Sequence, residues 1–298
     1  MNLAMPVLSG RPRKVPLSTR VVVLLDGPFA VWGWLFFACG TVFARLFAGN
    51  ADLTSWLLFR GQVQTAPGII TASEPTHFSQ GGGEHSKGTP IVAHHYRFAV
   101  SGTNYQGVSF CTGGGLRKGQ SVVVEFIPDK PELSRIRGMR RQPFGPAAGA
   151  VVLFPVTGLA LVAMGLVRGH RQVQLLAQGE PALGRLVDKQ PTNVRVNNKP
   201  VYKLLFEFTD RDGQTQRAVV ETEKVEPLED EPFEWLFYAP RKPDQAVLLD
   251  ALPGKQKFDE HGALKPAGFW RAAVVLLLPA LGLGAVVVSV GLVPALMR

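Results

Sequence analysis

The chain has 298 residues, 46% of them hydrophobic and 18% charged, and a formal net charge of +9. Soluble domains carry about 25% charged residues. Here the apolar residues are gathered into long runs, which excludes an ordinary soluble globule and a disordered chain. No basic stretch is interleaved with aromatics as on a nucleic-acid surface, so no nucleic-acid partner is expected.

Residues 1–20 are polar and basic and read as a disordered cytoplasmic tail. Three apolar runs follow, within residues 21–48, 146–167 and 268–296. About 20 helical residues cross a hydrocarbon core of about 30 Å. Each run therefore predicts a transmembrane helix. The first is too long for a signal peptide, and Gly49-Asn50-Ala51 makes a poor cleavage site, so it reads as a retained anchor. Asp26, before Gly27-Pro28, marks a helix start. Pro155 interrupts the second run, so that run either crosses or re-enters. Gly282, Gly284 and Ala285 could let helices approach closely.

Much of the positive charge flanks these runs. Arg11, Arg13 and Lys14 precede the first, and Arg135, Arg137, Arg140 and Arg141 precede the second, which predicts contact with anionic lipid. Counting Lys and Arg near span ends gives eleven on the N-terminal side plus second loop and seven on the other. By the positive-inside rule the N-terminus faces the cytoplasm.

Asp52–Arg60 reads as a short interfacial helix. Two β-domains are expected within residues 60–140 and 175–250, because one layout appears twice. Ala66–Thr76 matches Ala182–Thr192 at an offset of 116, a glycine leading an apolar strand that a Pro-Thr pair ends. Tyr96–Gly102 alternates in the manner of a half-buried strand and is matched to Lys203–Gly213, with Phe98 set against Phe206. Asp212-Gly213 is a hairpin signal. Each copy then has a strand stopped by Pro-x-x-Pro: Val122–Pro131, with Pro128 and Pro131, and Glu234–Pro243, with Pro240 and Pro243, at an offset of 112. This layout resembles the bacterial domain-of-unknown-function 3592 family over residues 60–140 and 175–250. The residues that carry it include Gly68, Phe98, Gly102, Val122–Phe126, Pro128 and Pro131, with Gly184, Phe206, Gly213, Tyr238, Pro240 and Pro243 in the second copy. The resemblance implies membrane-anchored small β-domains, with no catalytic residues to carry over. Asp230-Glu231 depart from the pattern, standing where the first copy has Gly119-Gln120.

Candidate chemistry is sparse. His77, His85, His94 and His95 cluster and are the candidate metal ligands, but their spacing matches no ligand pattern and reads first as a polar loop. Thr112–Ser121 imitates a phosphate loop, yet Lys118 precedes the last glycine and a strand follows. The acids from Glu221 to Glu234 read as a solvated loop. No Ser-His-Asp or Cys-His pattern is visible, and Cys39 and Cys111 lie in different segments, so no cofactor or disulfide is expected. The expected fold is an α+β membrane protein with three transmembrane helices and two small antiparallel β-sheet or barrel-like domains. The expected function is non-catalytic, the β-domains mediating protein or envelope interactions in a bacterial inner membrane. Partners would be the bilayer and a protein or a second copy. The alternative is a membrane-tethered enzyme or metal-binding protein using the His77–His95 loop.

Overall fold

The computed structural model describes residues 8–82, 88–196, 199–222, 225, 228 and 232–296. The chain divides into two compact units: Gly40–Phe154, and Met1–Cys39 together with Pro155–Arg298. Its helices are α1 (Leu17–Leu25), α2 (Pro28–Phe47), α3 (Leu53–Leu58), α4 (Leu153–Gln178) and α5 (Phe269–Leu296).

Three helices are long and apolar enough to cross a membrane: α2 with the turn that follows it, α4 with the turn that precedes it, and α5. On α5, Leu277, Leu281, Leu283, Val287 and Val290 are each more than half exposed. A helix apolar nearly all round needs a nonpolar surrounding. The first span, expected within residues 21–48, is two helices. Asp26-Gly27 separates them because Pro28 lacks the N–H and crowds the residue before it. Pro155 does not break α4. It is the third residue of the helix, in the first turn, where proline is tolerated. Asp52 caps α3 by accepting from the Ser55 N–H at 3.0 Å, and a short helix stands where one is expected.

The N-terminal segment departs from a disordered tail. Its described part, from Leu8 on, packs against the larger unit: Arg13 N donates to Ala177 O at 2.8 Å, Ser9 N to Gly262 O at 3.1 Å, and Val15 is buried.

Glycines seat α4 on α1 and α2. A Cβ at Gly158 would fall 2.5 Å from Phe37 N, one at Gly165 2.7 Å from Ala30 N, and one at Gly169 2.8 Å from Leu24 Cα. Gly33 faces back, with Val162 N 2.6 Å from where its Cβ would stand. Backbones this close gain dispersion contacts that lipid cannot match. Of the small residues expected to serve this purpose, Gly282 does touch Trp34 and Phe37, whereas Gly284 faces open space.

The smaller unit holds β1 (Gln64–Gln80), β2 (Thr89–Val100), β3 (Thr103–Thr112), β4 (Ser121–Ile127) and β5 (Lys130–Ile136), ordered β3-β2-β1-β4-β5. The ends nearly close on each other. Ile136 N donates to Ser109 Oγ at 2.8 Å, and Phe110 and Arg140 exchange backbone bonds of 2.7 and 3.0 Å. The result is a partly closed five-stranded barrel, the architecture of OB-type domains, which hosts many functions and assigns none. The larger unit repeats the order with β6 (Glu180–Val196), β7 (Lys199–Thr209), β8 (Thr215–Thr222), β9 (Glu234–Ala239) and β10 (Lys242–Leu248). There β8 lies against β10.

The duplication extends to irregularities. β1 is bulged between Ile70 and Ala72 and again between Pro75 and Ser79; β6 is bulged between Leu186 and Asp188 and between Pro191 and Arg195. Each position is shifted by 116. Thr76 Oγ1 donates to Ile91 O at 2.8 Å, and Thr192 Oγ1 donates to Val201 O at the same 2.8 Å. Gly68 and Gly184 are glycines for one reason: a Cβ would meet Val124 at 2.6 Å in the first and Leu236 at 2.8 Å in the second.

Two expectations change. The Pro-Thr pair does not end a strand, since β1 and β6 continue through it at the second bulge, where a proline is tolerated. The Pro-x-x-Pro is not a stop either. Pro128-Asp129 and Pro240-Arg241 are two-residue turns, and Pro131 and Pro243 are the second residues of β5 and β10. The repeat alignment also moves. Gly68 pairs Phe98 and Ile70 pairs Tyr96, while Leu186 pairs Phe206, so Phe206 corresponds to Tyr96 and Phe208 to Phe98. The two cores then coincide: Tyr96, Phe98, Val124, Phe126 and Ile136 in one, Phe206, Phe208, Leu236, Tyr238 and Leu248 in the other.

Candidate functional site

In the first barrel the structure assembles a side-chain chain that sequence spacing does not display. Ser73 on β1 stands opposite His94 on β2, and Cys111 on β3 lies diagonally beyond. His94 Nδ1 is 2.8 Å from Ser73 Oγ, and its Nε2 is 3.3 Å from Cys111 Sγ. Ser73 Oγ also lies 2.7 Å from Leu116 O, which only accepts, so the hydroxyl donates there and accepts from Nδ1–H. The Nε2 lone pair of the neutral ring then faces the thiol.

The electrostatics oppose a nucleophile. His94 is fully buried; burial pushes its imidazolium pKa down, the Gly114 carbonyl works against that, and His95 adds to it. Burial pushes the Cys111 thiol up, with the Arg140 charge opposing. A reactive cysteine needs both shifts reversed. The thiol instead lies 3.0 Å from Gly113 O, to which it donates. Ser73, His94 and Cys111 tie three strands together.

Of the metal candidates, the three that lie among the described residues do not converge. His77 is exposed on β1, His95 faces the opposite side of β2 from His94, and His85 lies outside the described residues. Among the described residues no three His, Cys, Asp or Glu side chains form a ligand set. The phosphate-loop lookalike is the β3–β4 connection, with Gly113, Gly114 and Gly119 at φ of 66°, 75° and 87°, and a strand follows it. Of the acidic stretch, Glu223, Glu226, Glu229, Asp230 and Glu231 lie outside the described residues.

The basic residues expected at lipid are mostly engaged by protein. Arg13, 5% exposed, donates through Nη1 to Leu176 O at 3.1 Å and Gly179 O at 2.9 Å, and stacks over Phe237 at 4.9 Å. Its place at the C-terminus of α4 satisfies carbonyls that no helical N–H reaches. Arg11 pairs with Glu180 at 2.9 Å. Arg135 and Arg137 share Glu125 at 3.0 and 3.2 Å, and Arg135 also covers Phe59. Arg140 donates to Gln80 and Thr112 through its guanidinium, whereas Arg141 donates to Asp52 at 2.7 Å through its backbone N–H. Lys14 is exposed.

Glu180 anchors a second network. Tyr238 donates to it at 2.9 Å, and Arg211 Nη1 lies 3.4 Å away. Burial pushes the Glu180 carboxyl up. Hydrogen bonds from Arg11 and Tyr238 and the charges of Arg11 and Arg211 outweigh it and leave the pKa below the usual value.

The larger unit also carries an open groove of about 1320 Å³, bounded by the outer face of α4 and by β8, β9 and β10. Its lining includes the apolar Phe29, Met164 and Val167 and the basic Arg168, Arg171 and Arg241.

No protein-family model matches this chain, and no curated protein matches it. Among solved structures it is similar to one described as a replication protein A heterotrimer bound to single-stranded DNA. The identity is 10%, the match covers 60% of this chain and 44% of that one, and the TM-score is 0.17. A likeness at that score carries no argument about function.

Proposed function

We propose that the chain is a multi-pass protein of a bacterial inner membrane that works by recognition, its two five-stranded barrels serving as docking modules for protein or envelope partners. The observation that carries this reading is the apolar exposure of α2, α4 and α5 in a chain that also carries two copies of one five-stranded β-module. The repeated layout also supports membership of the domain-of-unknown-function 3592 family. Alkaline extraction of membranes from expressing cells tests the base of the reading. The protein stays in the pellet; release into the carbonate supernatant overturns it.

The alternative, a membrane-tethered enzyme on the histidine segment, has the His94–Cys111 contact in its favour. The raised thiol pKa weighs against it. Alkylation with iodoacetamide at neutral pH separates the two. Slow reaction of Cys111, accelerating as pH rises, fits the docking reading, and a fast, pH-independent reaction that is lost in His94→Gln selects the enzyme.

A further inference from the structure

We propose that the groove between α4 and the second barrel binds one anionic phospholipid of the surrounding bilayer, its phosphate on Arg168, Arg171 and Arg241 and an acyl chain along Met164, Val167 and Phe29. The inference rests on the membrane reading above and specifies a ligand for it.

Depth comes first. The apolar run of α4 ends at Val167, and Arg168 and Arg171 are the next charges. Gly165 packs on Ala30 and Gly169 on Leu24, so Arg168 stands level with the Asp26-Gly27 break between α1 and α2. Arg271 at the start of α5 pairs with Asp26 at 2.8 Å, at the same level. Three helices thus pass from apolar to charged at one height, which is where a headgroup lies.

Shape and charge follow. Met164, Arg168 and Arg171 recur at helical spacing on one face of α4. Met164 and Val167 are 53% and 54% exposed on the apolar side. Arg241, in the β9–β10 turn, supplies the third cation from the opposite wall. These arginines have no ion-pair or hydrogen-bond partner among the described residues. Glu221 also lines the groove, so the wall carries three positive charges against one negative. A guanidinium fork suits a phosphate diester, and three of them suit a lipid with no compensating ammonium. The volume exceeds the roughly 300–1,000 Å³ of small-molecule sites, as a headgroup with part of a chain requires.

The test uses the full-length protein in nanodiscs of equal parts phosphatidylglycerol and phosphatidylcholine, released into native mass spectrometry. Retention of phosphatidylglycerol over phosphatidylcholine is expected. Its affinity falls about fivefold for each arginine changed to glutamine and about a hundredfold in Arg168→Gln/Arg171→Gln/Arg241→Gln, while Glu221→Gln retains at least as much as the parent. Equal retention of the two lipids, or an unchanged triple variant, overturns the proposal. So does displacement of the lipid by inorganic phosphate alone, which would assign the arginines to a soluble anion. A protein that never enters the disc at all would instead refute the membrane reading.

Discussion

Arg13 offers the sharpest test of how the N-terminal segment is held. Arg13→Met keeps the aliphatic stem and removes the guanidinium. Two charge-assisted bonds to Leu176 O and Gly179 O are lost, each about 1.5–3 kcal/mol, with a cation–π contact on Phe237 of about 0.5–2 kcal/mol. Against this, a buried charge no longer has to be desolvated, a return of several kcal/mol, and Arg13 Nε makes no hydrogen bond in the fold anyway. Two carbonyls at the end of α4 are left bare. The net expectation is a loss of about 2–3 kcal/mol, or about 3–5 °C in the midpoint of thermal unfolding in detergent. Arg13→Lys recovers part of it, since an ammonium reaches one carbonyl but not both. If Arg13 served the membrane surface, the variant would weaken binding to anionic vesicles and leave the midpoint unchanged. That pair of results would refute the capping role.

His94 is held neutral, its folded pKa below the unfolded value of about 6.5. Its contribution is therefore complete above that pH and declines as pH falls below it. The protection of β2 amides, after correction for the pH dependence of intrinsic exchange, should fall between about pH 7.5 and 5.5, and His94→Gln should flatten that dependence. Glu180 has a lowered pKa, so its contribution is lost only below about pH 4.3, outside that window. Gly158→Ala places a methyl against Phe37 N and costs about 1–3 kcal/mol, read as a lower unfolding midpoint, whereas Gly284→Ala meets nothing and is neutral. Equal midpoints would remove the α2–α4 seam from the account. A membrane-impermeant thiol reagent, corrected for Cys39 and Cys111, should label Gly82→Cys and Asp212→Cys from opposite faces if α4 crosses the bilayer; labelling from one face would restore a re-entrant second run.

The spans were readable because uncharged length is a one-dimensional signal, and the duplication because proline and glycine recur at matching places. Strand pairing was harder. Aromatic residues look alike in sequence, so Phe98 aligns with Phe206 there, and the two-residue shift emerges only from the pairing of Ile70 with Tyr96 and of Leu186 with Phe206. Bulges leave no mark in composition, so in sequence the proline that kinks β1 looks like its end. The Ser73, His94 and Cys111 contact had a weak signal available. A tight turn at Ser101-Gly102 implies that residues pair when their numbers sum to a constant, which brings His94 near Ser109 and Cys111. The role of Arg13 had none, since nothing local says that a basic tail will fold back onto a helix end 163 residues away.

The doubled kink in β1 and β6 governs where this chain tolerates length changes. Both strands hold the 116 offset from end to end, while the other strand pairs stand at 110, 111 or 112, so every gain or loss of residues since the copying event fell in a connection. One residue added between the kinks would invert the pleat beyond it and turn the Thr76 or Thr192 latch to the wrong side. The long central strand is thus a ruler with two fixed notches, and evolution has been free to edit only the string between rulers.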